Sequence, residues 1–196
     1  MSEVQTRIDA VSGESARHLT TAELEAGLRT MPPVPKDAGR VVAIIRRPAK
    51  GAREVLRRAR LSPEAGLPGD NWSQKELPDP AAQLTIMQSA VAELTANGQS
   101  LALFGDNLFV DLDLSKANLP IGSRLRVGEA TVEVTPMPHD GSSKFNARFG
   151  NDALRFVNAK PTRHLNLRGI YWRVIEPGAI EIGSPIQVLS RPTPAA

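Results

Sequence analysis

The run Ala130-Thr131-Val132-Glu133-Val134 alternates apolar and polar side chains, the period of a strand with one buried face. Two prolines, Pro136 and Pro138, follow it at once. Neither can donate to a sheet ladder, so the chain has to leave the sheet there as a shaped segment. That segment, Pro136 to Phe149, reads Pro-Met-Pro-His-Asp-Gly-Ser-Ser-Lys-Phe-Asn-Ala-Arg-Phe. It gathers an imidazole (His139), a carboxylate (Asp140), two hydroxyls (Ser142, Ser143), an ammonium (Lys144) and a guanidinium (Arg148). Gly141 permits a positive φ or a close approach to a ligand. Two readings are open on these residues: a hydrophilic turn before a helix, and a loop that binds or reacts.

The remainder of the chain is mostly short strand patterns between turn residues. Val41 to Ile45 is a continuous apolar run bounded by Gly39 and Pro48. A basic stretch follows, with Arg46, Arg47, Lys50, Arg53, Arg57, Arg58 and Arg60 interrupted by Glu54. As a strand, Glu54 to Leu61 has no cleanly apolar face, which leaves strand and helix both open. The stretch reads either as a solvated charged hairpin or as an anion-binding wall, since arginine forks grip phosphate oxygens in pairs. Gln83 to Gln88 is a strand, with Ser89 placed to cap a helix ended by Asn97-Gly98. Phe109 to Leu114 alternates. Arg124 to Val134 is a hairpin whose Gly128-Glu129 suits a type II′ turn. Asn151 or Asp152 can cap a helical turn to Val157. Ile170 to Ile175 is a strand, Glu176-Pro177-Gly178-Ala179 a type II turn, and Ala179 to Ile182 and Ile186 to Leu189 are the last strands. This pattern predicts a mainly β barrel with a few short helices and no internal repeat.

Upstream, Met1 to Ala16 is polar and aperiodic, the pattern of a poorly ordered arm. Thr20-Thr21-Ala22-Glu23 is a capping box opening a helix to about Arg29. The prolines at 32, 33 and 35 then connect to the barrel. The expected organisation is an arm and helix over residues 1–37, the barrel over 38–190 and a tail over 191–196. With 41% hydrophobic and 23% charged residues the composition is that of a globular chain. No apolar run is long enough to span a membrane. Residues 1–9 hold no secretory apolar segment, so a cytoplasmic location is expected. The chain has no cysteine, which excludes disulfides, iron–sulfur clusters and thiolate zinc sites. A net charge of +3 does not argue for nucleic acid. The basic stretch also lacks the interleaved aromatics on which bases stack.

Pro138-His139-Asp140-Gly141-Ser142-Ser143-Lys144-Phe145, with Ala147-Arg148-Phe149-Gly150, resembles the signature of the MOSC family, the molybdenum-cofactor sulfurase C-terminal domains. Further matching points fall in family order: Gly66-Leu67 with Gly69-Asp70 and Trp72, then Phe104-Gly105-Asp106-Asn107-Leu108, then Pro120-Ile121-Gly122. Arg168-Gly169-Ile170-Tyr171, Glu176-Pro177-Gly178 and Ile182-Gly183-Ser184-Pro185 complete the set. The resemblance spans roughly Val41 to Leu189 and implies a MOSC β-barrel with peripheral helices. It also implies molybdenum-cofactor binding and sulfur handling, and in some members reduction of N-hydroxylated substrates. One departure stands out: Ser142 occupies the position of the family cysteine.

A cysteine thiolate in a cationic pocket is soft and nucleophilic, whereas a serine hydroxyl is hard and neutral and cannot hold a persulfide. The resemblance therefore leaves Ser142 and His139 as candidate catalytic groups without the sulfur-carrying role. Arg46, Lys50, Asp70, Asp106, Asn107, Lys144 and Arg148 are the candidates for binding a molybdopterin-type cofactor, and no metal ligand is assigned. Asp70 orients a basic partner or serves its own turn; Asp106 and Asn107 meet the pterin edges or satisfy a bend. Pyridoxal phosphate belongs to a sulfurase domain fused to some relatives, for which this sequence has no room. A serine hydrolase on His139, Asp140 and Ser142 conflicts with the missing Gly-x-Ser-x-Gly elbow. Zinc conflicts with three histidines, His18, His139 and His164, that share no ligand spacing. Two readings remain: a cofactor-using oxidoreductase, and a non-catalytic module that binds the cofactor or another anionic small molecule.

Overall fold

The computed structural model of the chain describes residues 3–193. Strand β1 (Val4–Ile8) and helix α1 (Thr21–Thr30) precede the long strand β2 (Ala38–Arg46), and β3 (Arg53–Leu56) and β4 (Arg58–Leu61) follow it. Next come β5 (Leu84–Gln88), α2 (Ser89–Ala96), β6 (Leu108–Asp111) and the hairpin of β7 (Arg124–Val127) and β8 (Ala130–Val134). Helices α3 (Ser143–Phe149) and α4 (Asn151–Val157) lead to β9 (Ile170–Glu176), β10 (Gly178–Glu181) and β11 (Pro185–Ser190). Hydrogen bonds run in the order β2-β11-β7-β8-β9-β5-β6, and β6 pairs back onto β2, closing a seven-stranded barrel. Closure removes the free edges that an open sheet would expose. Among the described residues only β5 and β6 pair in parallel, and α2 supplies the crossover that a parallel pair requires.

The barrel wall separates two apolar cores. Ile44, Ile86, Leu108 and Val110 point inward with Leu125 and Trp172. Their chain neighbours Ile45, Met87 and Phe109 point outward, beneath the helices, with Leu24, Val91 and Phe149. This is why Val41 to Ile45 is apolar at every position: the strand is buried on both faces. Full burial of each such side chain contributes about 1.5–3 kcal/mol.

The hairpin forms as its sequence requires, with Gly128 at φ +56° and Glu129 outside the left-handed region. The Thr20 side chain accepts from the Glu23 N–H (3.3 Å) and Glu23 Oε2 accepts from the Thr20 N–H (2.8 Å), so α1 opens on the expected capping box.

Four local expectations are corrected and one open reading is resolved. Val4 to Ile8 is not a loose arm; it pairs antiparallel with β3, so part of its backbone bonding comes from a partner distant in sequence. The Glu54–Leu61 ambiguity resolves as two strands broken at Arg57, β3 in the main sheet and β4 in a separate pair with β10. Ser89 is the first residue of α2 and makes no capping bond; Gln88 holds the cap position. Ser143 to Phe149 is helical, so Lys144 and Arg148 sit on α3 and not on a loop. Gly178 does not adopt a positive φ and begins β10, so there is no type II turn after Glu176. At Pro177 the chain passes from the barrel to the pair with β4. Among the described residues no helix is long and apolar enough to cross a membrane.

Candidate functional site

At the end of β2, the side chains of Arg46, its last residue, and Arg47 part, as successive residues of an extended chain must. Arg46 stays on the sheet: its Nε donates to Glu54 Oε2 across the β2–β3 pair (2.6 Å), and its Nη1 donates to the Pro68 carbonyl (3.2 Å). Arg47 turns the other way and meets Asp70 as a fork, with Nε on Oδ1 (2.9 Å) and Nη2 on Oδ2 (2.6 Å). Its Nη1 and Nη2 also donate to the Gly105 carbonyl (3.1 Å) and Asn107 Oδ1 (3.1 Å). Asn107, fully buried, returns an N–H to Asp70 Oδ1 (3.1 Å) and accepts from the backbone and hydroxyl of Thr85 (3.1 Å each). Burial pulls the Arg47 pKa down, but the Asp70 carboxylate outweighs it and the net shift is upward. The guanidinium is thus a fixed charge held by a buried frame.

A second frame stands beside it. Asp106 is fully buried and accepts from Arg168 Nη1 (2.8 Å). Its other oxygen lies 3.6 Å from His139 Nε2, beyond hydrogen-bond range. The His139 ring packs on Tyr171 with centroids 4.7 Å apart, and Arg168 lies 5.2 Å over the Phe145 ring. Burial, reinforced by Arg168 and only partly countered by Asp106, pushes the His139 pKa down to about 3. The imidazole is therefore neutral at neutral pH. Asp106 Oδ1, His139 Nδ1 and Arg168 Nε are buried without a hydrogen-bond partner.

Between these frames opens a cleft of about 1020 Å³. Its wall carries Arg47, Lys50, Arg53, Lys75, Lys144, Arg148 and Arg168 against a single carboxylate, Asp140. Arg53 is anchored through Nε and Nη1 on the Ala102 and Ala52 carbonyls (3.1 and 2.7 Å). Its pKa falls to about 10 through burial and the proximity of Arg148 and Arg47. Arg148 reaches back from α3 to the Leu103 carbonyl (2.8 Å). Burial and then Arg168 lower its pKa. Gly105, at φ +82°, lets Arg53 Nη2 approach within 2.7 Å of where a Cβ would stand. Cations that depress one another's pKa across one space favour an anion there.

The structure brings together some of the expected site residues and not others. Lys50, His139, Ser142, Lys144 and Arg148 all line the cleft. Arg46 does not, because Glu54 holds it; Arg47, one residue later, stands where Arg46 was expected. Asp70, Asp106 and Asn107 do not face the cleft either: they are buried behind it, orienting Arg47 and Arg168. Gly141 has no positive φ; it is small because a Cβ would come within 2.8 Å of Leu154 on α4. Its N–H and carbonyl are bonded by the Asn158 amide (2.8 and 3.2 Å), which pins the segment. The cleft also takes Arg47 and Arg53 from the basic stretch read as a possible anion-binding wall, and Lys75, Arg168 and Tyr171, which the sequence does not mark individually as site residues. Arg168 and Tyr171 lie in a segment that already carried the family resemblance. Arg47 and Arg53 lay in the basic stretch, where only strand parity separates them from their neighbours.

Fold and site together define a closed β-barrel protein with a cation-lined cleft. A protein-family model described as the MOSC domain matches residues 72–187. The chain belongs to the MOSC domain family. Among solved structures, YiiM from Escherichia coli is similar at 24% identity and TM-score 0.53, over 80% of this chain and 73% of that one. The YuaD protein from Bacillus subtilis is similar at 17% identity and TM-score 0.56, over 77% and 95%. A protein titled only as hypothetical is similar at 21% and 0.57, over 82% and 71%. Likeness at these identities defines the fold. No curated protein sequence matches the chain.

Proposed function

We propose that this MOSC domain binds a phosphate-bearing anionic small molecule, of the molybdopterin type, in the cationic cleft, and that it does not carry sulfur. The observation that carries this reading is the imbalance of the lining, seven cationic side chains to one carboxylate. Arg47, Arg53 and Arg168 are fixed by buried partners, so they present charge without an ordering cost when a ligand arrives. Lys50, Lys75 and Lys144 pair with no carboxylate among the described residues and are free to close on phosphate oxygens.

The residues fit the phosphate end of such a cofactor better than its metal. Molybdenum with sulfur ligands calls for a soft donor, and the chain has no cysteine. Ser142 lines the cleft at the family cysteine's position, and its hydroxyl can hydrogen-bond a ligand. Among the described residues no group of His, Asp and Glu is arranged to hold a metal ion. A protein–molybdenum bond therefore has no part in this reading. The binding-module reading is preferred to the oxidoreductase reading on that ground.

The test is calorimetric titration with inorganic phosphate and with a pterin phosphate, at low and at raised ionic strength. Affinity should weaken as salt rises, because the contacts are charges at a partly wet site. Arg148→Ala should cost a further 1–3 kcal/mol or so through loss of a charge-assisted bond. Affinity indifferent to both salt and Arg148→Ala would remove the cleft as the binding site.

A further inference from the structure

On the far side of the Pro136–Asp140 segment from the cationic cleft is a second cavity, of about 460 Å³. His139, Asp140 and Arg168 contribute to both and form the partition between them. The character of the second cavity is different. Leu119, Val134, Val157, Leu167 and Ile170, all buried residues, together with Met137, give it a mainly apolar wall. Small-molecule pockets have this volume and this lining.

The few polar groups at its rim have a definite sign. The Lys116 N–H donates to the His164 carbonyl (2.9 Å), which brings Lys116 beside Arg163 on one edge. Asp140 faces Arg163 at 3.4 Å and offsets one charge. Asn166 is committed to the Leu114 carbonyl (2.8 Å). Lys116 pairs with no carboxylate among the described residues. Arg168 is held by Asp106 behind the wall and Arg163 faces Asp140, so Lys116 supplies the net positive charge of the rim. A cationic ligand is repelled there. A neutral apolar ligand leaves the rim charge without a partner, and a highly charged anion loses its hydration against the apolar wall.

We infer that this cavity binds a small apolar monocarboxylate, its hydrocarbon part against Leu119, Val134, Val157 and Leu167 and its carboxylate between Lys116 and Arg163. The site is separate from the cationic cleft, and its occupancy does not depend on what the cleft holds. Recognition divides between the two ends of the ligand: the apolar wall sets affinity through buried area, and the rim selects a single negative charge.

The experiment follows backbone and methyl NMR shifts of the full chain during titration with octanoate, with and without inorganic phosphate, and with 1-octanol as the uncharged control. Octanoate should shift Leu119, Val134, Val157 and Leu167, and phosphate should not displace it. Octanol should bind on the order of tenfold more weakly, the worth of one charge-assisted contact. Lys116 is exposed, so Lys116→Glu should fold normally. It should weaken octanoate by about tenfold or more, while Arg148→Ala leaves octanoate binding unchanged. Val157→Trp, which fills the cavity, should abolish binding. The inference is overturned if octanoate fails to bind, if its shifts centre on Lys50 and Lys144 and phosphate competes with it, or if octanol binds as tightly as octanoate.

Discussion

Asp106 has one oxygen on Arg168 at 2.8 Å and the other 3.6 Å from the neutral ring of His139. Removing its charge leaves the Arg168 guanidinium buried without a counter-ion. Asp106→Asn, nearly isosteric, should therefore destabilise the protein by about 3–5 kcal/mol, read from urea denaturation. A loss under about 1 kcal/mol would mean that Arg168 finds solvent when unpaired. His139 makes stability depend on pH in a definite direction. Its pKa is about 3 in the folded chain and close to the ordinary 6.5 in the unfolded one. Above 6.5 both states are neutral and the residue contributes nothing to the pH dependence. Between 6.5 and about 3 the unfolded chain binds a proton that the folded chain refuses, so stability falls as the pH falls. His139→Gln should remove that portion of the acid sensitivity. The check is the difference in urea midpoint between neutral and mildly acidic buffer, which should shrink in the variant.

At the scale of elements, Gly150 joins α3 to α4, closing one helix and opening the next at φ +87°. Besides that backbone angle, a Cβ there would come within 2.8 Å of His18 Nδ1. The His18 Nε2 meets the Arg148 carbonyl at 3.1 Å. The N-terminal segment thus supports the helix that carries Arg148 and Lys144. Gly150→Ala should cost roughly 1–3 kcal/mol by thermal or chemical unfolding, from strain at the positive φ and from the contact with His18. Adding His18→Ala should restore the steric share and leave the backbone share. No recovery in the double variant would show that the backbone angle accounts for the whole effect. The same helix pair explains why the second half of Pro136 to Phe149, from Ser143 on, is helix and not loop. Lys144 and Arg148 line the cleft from that helix, which also buries Phe145 and Phe149 against Phe104.

For the whole molecule, closure of the barrel separates strands by how many partners they have. β8 and β9 lie between neighbours on both sides, whereas among the described residues the strand that β1 pairs with is β3, and its side chains are largely exposed. Native-state amide exchange should accordingly be slowest in β8 and β9 and fastest, among the strands, in β1. Equal protection in β1 and β8 would mean that the N-terminal strand opens only with the barrel. Deleting β1 should lower the unfolding temperature while leaving the barrel folded, since both apolar cores lie outside it except for contacts made by Val4 and Ile8.

The sequence by itself determined the barrel class, the hairpin at Gly128, the capped helix at Thr20 and the family, because each rests on local chemistry or on a motif spread along the chain. Alternation, turn glycines and capping side chains act within a few residues, and so they can be read in order. The sequence also determined that no thiol stands at position 142. What it could not carry was the assignment of charge to place. Arg46 and Arg47 differ by one residue, and only pairing of β2 with β3 decides that Glu54 takes the first and the cleft receives the second. Asp70, Asp106 and Asn107 have the chemistry of ligand-binding groups, yet burial behind the cleft makes them holders of Arg47 and Arg168. β1 has a polar, aperiodic sequence and becomes a strand because β3 offers it an edge. In each case the deciding partner is remote in the chain, and a desolvated charge goes wherever the folded structure supplies its counter-charge.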